Sequence, residues 1–247
     1  MRHYYVPGNV VISVAGHVEH QAVVDELTRL LGDWTDGERR DFLPAEDNQT
    51  SPRLRVHYKD TEQAQLCLSV PGLHRLHPDR FALRVLNTIL GEGMSSRLFL
   101  EIREKRGLAY SVSSYISTLE DVGTAGVYAG VDPARIQEAI RAILAEWDRL
   151  RQEPVSEEEL DKAREYFKGR LLLQMEDTFS VAAWFGQQEL MTPDEVLTVD
   201  QVVAELDKVT VEDVQRLAQR LFVGEKLNLA VVGPFEEEDE FRDSLRL

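Results

Sequence analysis

Residues 4–18, YYVPGNVVISVAGHV, can be laid without a gap on residues 221–235, LFVGEKLNLAVVGPF. Val6 meets Val223, Val14 meets Val231, Gly16 meets Gly233, and Val10 and Ile12 meet Leu227 and Leu229. Each copy is an aromatic-led apolar run closing on glycine, which is how a buried strand ending in a tight turn reads. Two readings follow. The match is either a coincidence between two strands, or residues 1–32 are the last strand and helix of a preceding domain and residues 54–235 are a second copy of that domain. On the second reading the opening strand lacks its sheet neighbours, and an unpaired edge is a place for association.

The rest of the chain supports this division. Residues 33–53 are polar and charged, carry two prolines, and read as a linker. Residues 54–59 and 64–70 then read as strands. Phe81, Ala82, Val85, Leu86, Ile89 and Leu90 mark a helix stopping at Gly91, and Leu98, Phe99 and Ile102 mark a shorter one. Residues 109–117 and 125–131 alternate as a hairpin around the turn at 120–123. Helices are expected over 134–150, from Ser156, around 179–190 and over 211–221. Ser156 and Glu159 have the spacing of a capping box. A strand, KLNLAVVG, precedes an acidic tail at 236–247.

Candidate chemistry is sparse. Residues 15–27, AGHVEHQAVVDEL, place His17, Glu19 and His20 close together. An inverted zinc-peptidase motif, His-x-x-Glu-His, puts its two imidazoles four apart on one helix face. Here they are three apart, and Gly16 stands where the first ligand belongs, so a solvated turn and first helical turn is expected and no metal site. Cys67 is the only cysteine, lies in the apolar run QAQLCLSV, and reads as a small buried side chain. Ser95 and Ser96 read as an N-cap, Gly91 and Gly93 as stop and turn residues, and Lys105 and Arg106 as solvated. A net charge of −16 argues against nucleic-acid and anionic-membrane partners. The N-terminus shows no signal peptide or membrane span, so a cytoplasmic location is expected.

Residues 87–114, NTILGEGMSSRLFLEIREKRGLAYSVSS, resemble the signature in the C-terminal half of pitrilysin/insulinase-type zinc metallopeptidases, which include bacterial processing proteases and the mitochondrial processing peptidase. The opening YYVPGNVVISVAGHV is similar to the segment with which that family closes its first domain, and the likeness runs from about residue 3 to 235. The resemblance implies the LuxS/mitochondrial processing peptidase-like metallohydrolase fold. In it two homologous α+β domains, each an antiparallel-rich sheet with helices packed on one face, enclose a peptide-binding chamber. Only the first domain carries zinc. It implies that this chain is the non-zinc, substrate-binding half, with no catalytic residue or cofactor of its own and zinc on a partner domain or subunit. The expected partners are that zinc-bearing half and a peptide, with a homo- or heterodimer as the possible assembly.

Two site residues carry over from the family: an Arg followed seven residues later by a Tyr, which fall on Arg103 and Tyr110. A guanidinium and a phenol are both donors, suited to holding a peptide carbonyl and the charge that develops on it. The plain alternative is an arginine paired with Glu104 or Glu101 and a tyrosine packed on the hairpin. An alternative function is a catalytically inactive structural or assembly protein of the same fold.

Overall fold

The computed structural model describes residues 4–37 and 41–247. Residues 38–40 of the expected linker, and residues 1–3 of the expected N-terminal remnant, lie outside them. Two compact units are present: Met1–Pro44 with Lys168–Val203, and Ala45–Phe167 with Ala204–Leu247.

The larger unit is built on a five-stranded sheet of β1 (Arg53–Tyr58), β2 (Ala64–Gly72), β3 (Ala109–Thr118), β4 (Gly123–Val131) and β5 (Asn228–Gly233), in the order β1-β5-β2-β4-β3. All pairs are antiparallel except β1 with β5. The two-residue alternation seen in the sequence sets the faces: Ala64, Leu66, Leu68 and Val70 of β2 are buried, while Gln65, Cys67 and Ser69 between them are half-buried. On the buried side α2 (Arg80–Gly91) lies against β3, α3 (Ile136–Gln152) against β4 and α7 (Val211–Leu221) against β2. Trp147 of α3 stacks on Phe222 with ring centroids 4.5 Å apart, and both are buried. The other face of the sheet carries no helix of this unit.

The expected hairpin, α2, α3 and α7 are where their periodicity places them. At α4 (Glu157–Gln174) the Ser156 hydroxyl accepts the Glu159 amide at 3.2 Å, the first bond of the expected capping box. The Glu159 carboxylate is engaged by Arg97. The acidic tail is folded onto the unit. Phe241, in the short helix Asp239–Arg242, is buried edge-on against Phe235 at 5.1 Å, and Leu245 is buried. Gln49, in the second half of the expected linker, is also buried and donates to the carbonyls of Glu225 and Leu227.

The smaller unit contains α1 (His20–Leu31), the end of α4, α5 (Thr178–Met191) and the start of α6 (Val199–Asp207), a helix the sequence reading did not mark. Residues 10–15 belong to no sheet among the described residues. Their surroundings nonetheless repeat those of β5 at matched positions. The 3-10 turn Pro7–Asn9 corresponds to Gly224–Lys226. The bonds Asn9 N to Val6 O (2.9 Å) and Val10 N to Pro7 O (3.1 Å) correspond to Lys226 N to Val223 O (3.0 Å) and Leu227 N to Gly224 O (3.2 Å). After the glycine, Val18 N to Gly16 O (3.0 Å) corresponds to Phe235 N to Gly233 O (2.9 Å).

Candidate functional site

The segment from α2 to β3 positions Arg103 and Tyr110. α2 ends at Gly91 because the backbone there touches β3: a Cβ on Gly91 would lie 2.3 Å from Ser114 N and 2.7 Å from its Oγ. Close approach to a strand is thus the reason for glycine. Ser114 Oγ donates to the Asn87 carbonyl at 2.8 Å, and Asn87 donates to Glu92 at 2.6 Å. Gly93 turns the chain at φ +81°, with a space-limiting Tyr166 ring 3.0 Å from where its Cβ would be. Ser96 is buried and stands just before the first helical residue, Arg97; its carbonyl accepts the Leu100 amide at 3.0 Å and its hydroxyl donates back to the Gly93 carbonyl at 2.8 Å. Arg97 then forks onto Glu159 through Nε at 2.7 Å and Nη2 at 2.8 Å. Bidentate geometry fixes direction as well as distance.

Beyond this brace the chain forms a π-helix, Phe99–Lys105. Such wide turns occur often at functional positions. Leu98 and Ile102 are buried and anchor one side. Gly107, at φ +57°, reverses the chain, and Leu108 N donates to Ile102 O at 2.8 Å. β3 starts two residues later with an irregular register between Ala109 and Ser111, which leaves Tyr110 outside the ladder.

The expected pair is brought together. The Arg103 guanidinium carbon lies 5.4 Å from the Tyr110 ring centroid and 4.9 Å from that of Phe99, so the cation is stacked between two rings. Tyr110 is 77 % exposed. Of the alternative partners, Glu104 stands 3.9 Å from Arg103 Nε, at the limit of an ion pair. Glu101 is taken by Arg106 at 2.8 Å and Lys105 at 3.1 Å, whose hydrogen bonds, Arg106 first, hold its carboxyl below the ordinary range. The two cations expected to be solvated are therefore paired. Among the described residues no side-chain hydrogen bond occupies the Arg103 donors. A stacked guanidinium with free N–H groups beside an exposed phenol can grip a carbonyl with little loss of side-chain entropy.

In the sequence Phe99 reads as a marker of the short helix and not as a site residue, although it stands four residues before Arg103, a spacing at which helical side chains meet. Two further tyrosines lie on the open face of the sheet. The Tyr115 hydroxyl meets Cys67 Sγ at 3.1 Å, and Tyr128 donates to Gln65. Cys67 is thus half-buried and hydrogen-bonded, not a fully enclosed side chain. Burial, and then the thiol contact, push the Tyr115 phenol up to about 12. Its ring is close enough to Gly126 that a Cβ there would sit 2.9 Å from Tyr115 Cε1.

His17 follows the turn at Gly16 (φ +141°), Glu19 is the N-cap of α1 and His20 its first residue. Among the described residues no three His, Cys, Asp or Glu side chains are grouped to hold a metal ion. The described residues thus offer no ligand set that fits the family's zinc. No described helix is long and apolar enough to cross a membrane.

The family profile described as the peptidase M16 inactive domain matches residues 1–167. An uncharacterized zinc protease of Streptomyces coelicolor is 35 % identical over 247 residues, 98 % of this chain and 53 % of that protein. The uncharacterized zinc protease YmxG of Bacillus subtilis is 37 % identical over 234 residues, 95 % of this chain and 56 % of that protein. The chain spans about half the length of the curated relatives it matches. Among solved structures, a peptidase M16 inactive domain from Pseudomonas fluorescens superposes with a TM-score of 0.79 at 18 % identity, covering 90 % of this chain and 53 % of the other. A protease from Helicobacter pylori gives 0.78 at 23 %, covering 88 % and 54 %.

Proposed function

Because the chain belongs to the M16 peptidase family, as that family's inactive domain, we propose that it is the peptide-binding half of a two-part zinc metalloendopeptidase. The zinc is carried by a partner domain or subunit, and this chain supplies Arg103 and Tyr110 to the bound peptide. The observation that carries this reading is the stacking of Arg103 between Phe99 and Tyr110 with its donors unspent. Arg103 holds a substrate carbonyl, and Tyr110 donates to the oxygen on which negative charge develops when water attacks. The proton transfers belong to the metal-bearing half.

Residues 1–32 are on this reading the last strand and helix of the preceding homologous domain, 33–53 the connection, and 54–235 the second domain. The hydrogen-bond pattern shared by residues 6–18 and 223–235 supports the duplication.

The test uses the chain assembled with its zinc-bearing half and a fluorescein-labelled unstructured peptide, with binding followed by anisotropy. Arg103→Ala is expected to weaken binding about tenfold, the size of one charge-assisted hydrogen bond. Tyr110→Phe is expected to lower turnover more than affinity, with zinc content unchanged. Wild-type affinity and turnover in both variants removes the assignment. Absence of any peptide affinity in the intact assembly favours a scaffold role instead.

A further inference from the structure

Tyr110 is joined to Arg103 through a reversal at Gly107 that packing does not hold. Gly107 stands at φ +57°, and a Cβ there would meet nothing within 4 Å. The amides of the reversal are tied back to the helix before it: Gly107 N donates to the Arg103 carbonyl at 3.2 Å, and Leu108 N, on a buried residue, donates to the Ile102 carbonyl at 2.8 Å. Its carbonyls cannot be met in that way, because the last carbonyls of a helical segment have no partner further along it.

Arg135 meets them. Its Nη1 donates to the Arg106 carbonyl at 3.3 Å and to the Gly107 carbonyl at 3.4 Å, so a basic side chain from a distant part of the sequence closes this helix end. The other edge of the guanidinium is gripped by Glu138, one of whose oxygens accepts Nε at 3.2 Å and Nη2 at 3.0 Å. The carboxylate fixes the direction of the fork and leaves Nη1 for the reversal. The backbone beneath Arg135 is fixed in its turn. Asp132 caps the 3-10 turn Pro133–Arg135 by accepting the Ala134 amide at 2.9 Å, Pro133 restricts its first φ, and Arg135 N donates to the Asp132 carbonyl at 2.9 Å. Ile136, Ala139 and Ile140 then bury the start of α3.

The two site residues depend on this clamp unequally. Arg103 is carried by the π-helix, which is anchored by buried Leu98 and Ile102 and by the fork of Arg97 on Glu159. Tyr110 falls at the register irregularity between Ala109 and Ser111 and is exposed, so the reversal that leads into it sets its place. We infer that Arg135 is a positioning residue for Tyr110: by holding the carbonyls of 106 and 107 it sets where the phenol stands beside the Arg103 guanidinium. This rests on the peptide-binding reading above and divides it. Peptide binding through Arg103 does not need Arg135, and turnover through Tyr110 does.

The experiment measures kcat and KM for the labelled peptide, and its affinity by anisotropy, in the chain assembled with its zinc-bearing half. Arg135→Ala is expected to lower kcat about tenfold with affinity unchanged, within the about 100-fold that a misplacement of about 1 Å can cost. Combined with Tyr110→Phe it should cost no more than Tyr110→Phe alone, since the hydroxyl it places is gone. Arg135→Lys, which keeps the charge and loses the fork, should restore part of kcat. Glu138→Gln leaves the arginine in place with a weaker grip, and carries the test if Arg135→Ala does not fold: a smaller loss of kcat is expected, again absent in the Tyr110→Phe background. Wild-type kcat in the variants of Arg135 and Glu138, or a loss that multiplies with that of Tyr110→Phe, overturns the positioning role while Tyr110 keeps its own. Equal losses of kcat and affinity overturn it in favour of general support of the unit. Wild-type turnover in Tyr110→Phe alone overturns the site reading itself, and the role of Arg135 with it.

Discussion

Replacing Glu159 with alanine asks whether a desolvated ion pair holds the Arg103 segment in place. Arg97 and Glu159 are 17 and 29 % exposed and share two hydrogen bonds of 2.7 and 2.8 Å. Arg97 Nη1 is already buried without a partner. Burial pulls the Arg97 guanidinium toward losing its proton, and the hydrogen-bonded Glu159, together with the charges of Glu146 and Glu153, more than offsets this. Removing one member of a fully buried pair costs about 3–5 kcal/mol; with this residual exposure, about 2–3 kcal/mol is expected at neutral pH. With an m-value of about 2–3 kcal/mol/M, the urea midpoint of the larger unit should fall by about 1 M. The double replacement Arg97→Met with Glu159→Leu should recover most of the loss, because no charge is left stranded. A cost below about 0.5 kcal/mol for Glu159→Ala would show that water screens the pair and that the brace does not fix the segment.

Gly91→Ala should destabilise by about 1–3 kcal/mol through overpacking, since the new methyl group meets Ser114 backbone at 2.3 Å and a strand cannot step aside as a flexible side chain can; an unchanged melting temperature would contradict the close approach. Asp79 accepts a fork from Arg216 at 2.9 and 2.7 Å, and that bond first of all holds its carboxyl below the ordinary range. Its stabilising contribution is therefore complete above the unfolded-state carboxylate range and is lost as pH falls through the lower folded value. Asp79→Asn should cost less than about 1 kcal/mol at pH 7, given the half-exposed Arg216, and nothing in strong acid; a difference that persists or grows in acid would contradict the pairing.

Much of the fold was legible because its elements satisfy one period at a time. Ala64, Leu66, Leu68 and Val70 alternate, and Ile136, Ile140, Ile143 and Trp147 recur at helical spacing, so each element announces its buried face. The parallel pairing of β1 with β5 joins residues almost a whole domain apart, and no local pattern encodes it. α6 is only nine residues long and gave too short a periodic signal. The acidic tail hid its role behind its charge, although Phe241 and Leu245 were its apolar anchors. In the site, the spacing of Arg103 and Tyr110 and the turn at Gly107 were readable. The partners of the neighbouring charges were not. Glu101 serves Lys105, four residues on, and Arg106, five residues on, the second being the spacing of a π-helical turn. The tethered tyrosines on the open sheet face needed the register of three strands to bring Cys67, Gln65, Tyr115 and Tyr128 together.

The most direct measurement is zinc content and peptide cleavage for this chain alone, for a zinc-bearing half alone, and for the two combined. The account predicts no stoichiometric zinc and no cleavage by this chain alone. For the combination it predicts cleavage that falls about 100-fold in kcat/KM with Tyr110→Phe while zinc stays constant, the scale of losing one donor to the developing charge. Stoichiometric zinc held by this chain's own side chains, with cleavage in the absence of the other half, would contradict it.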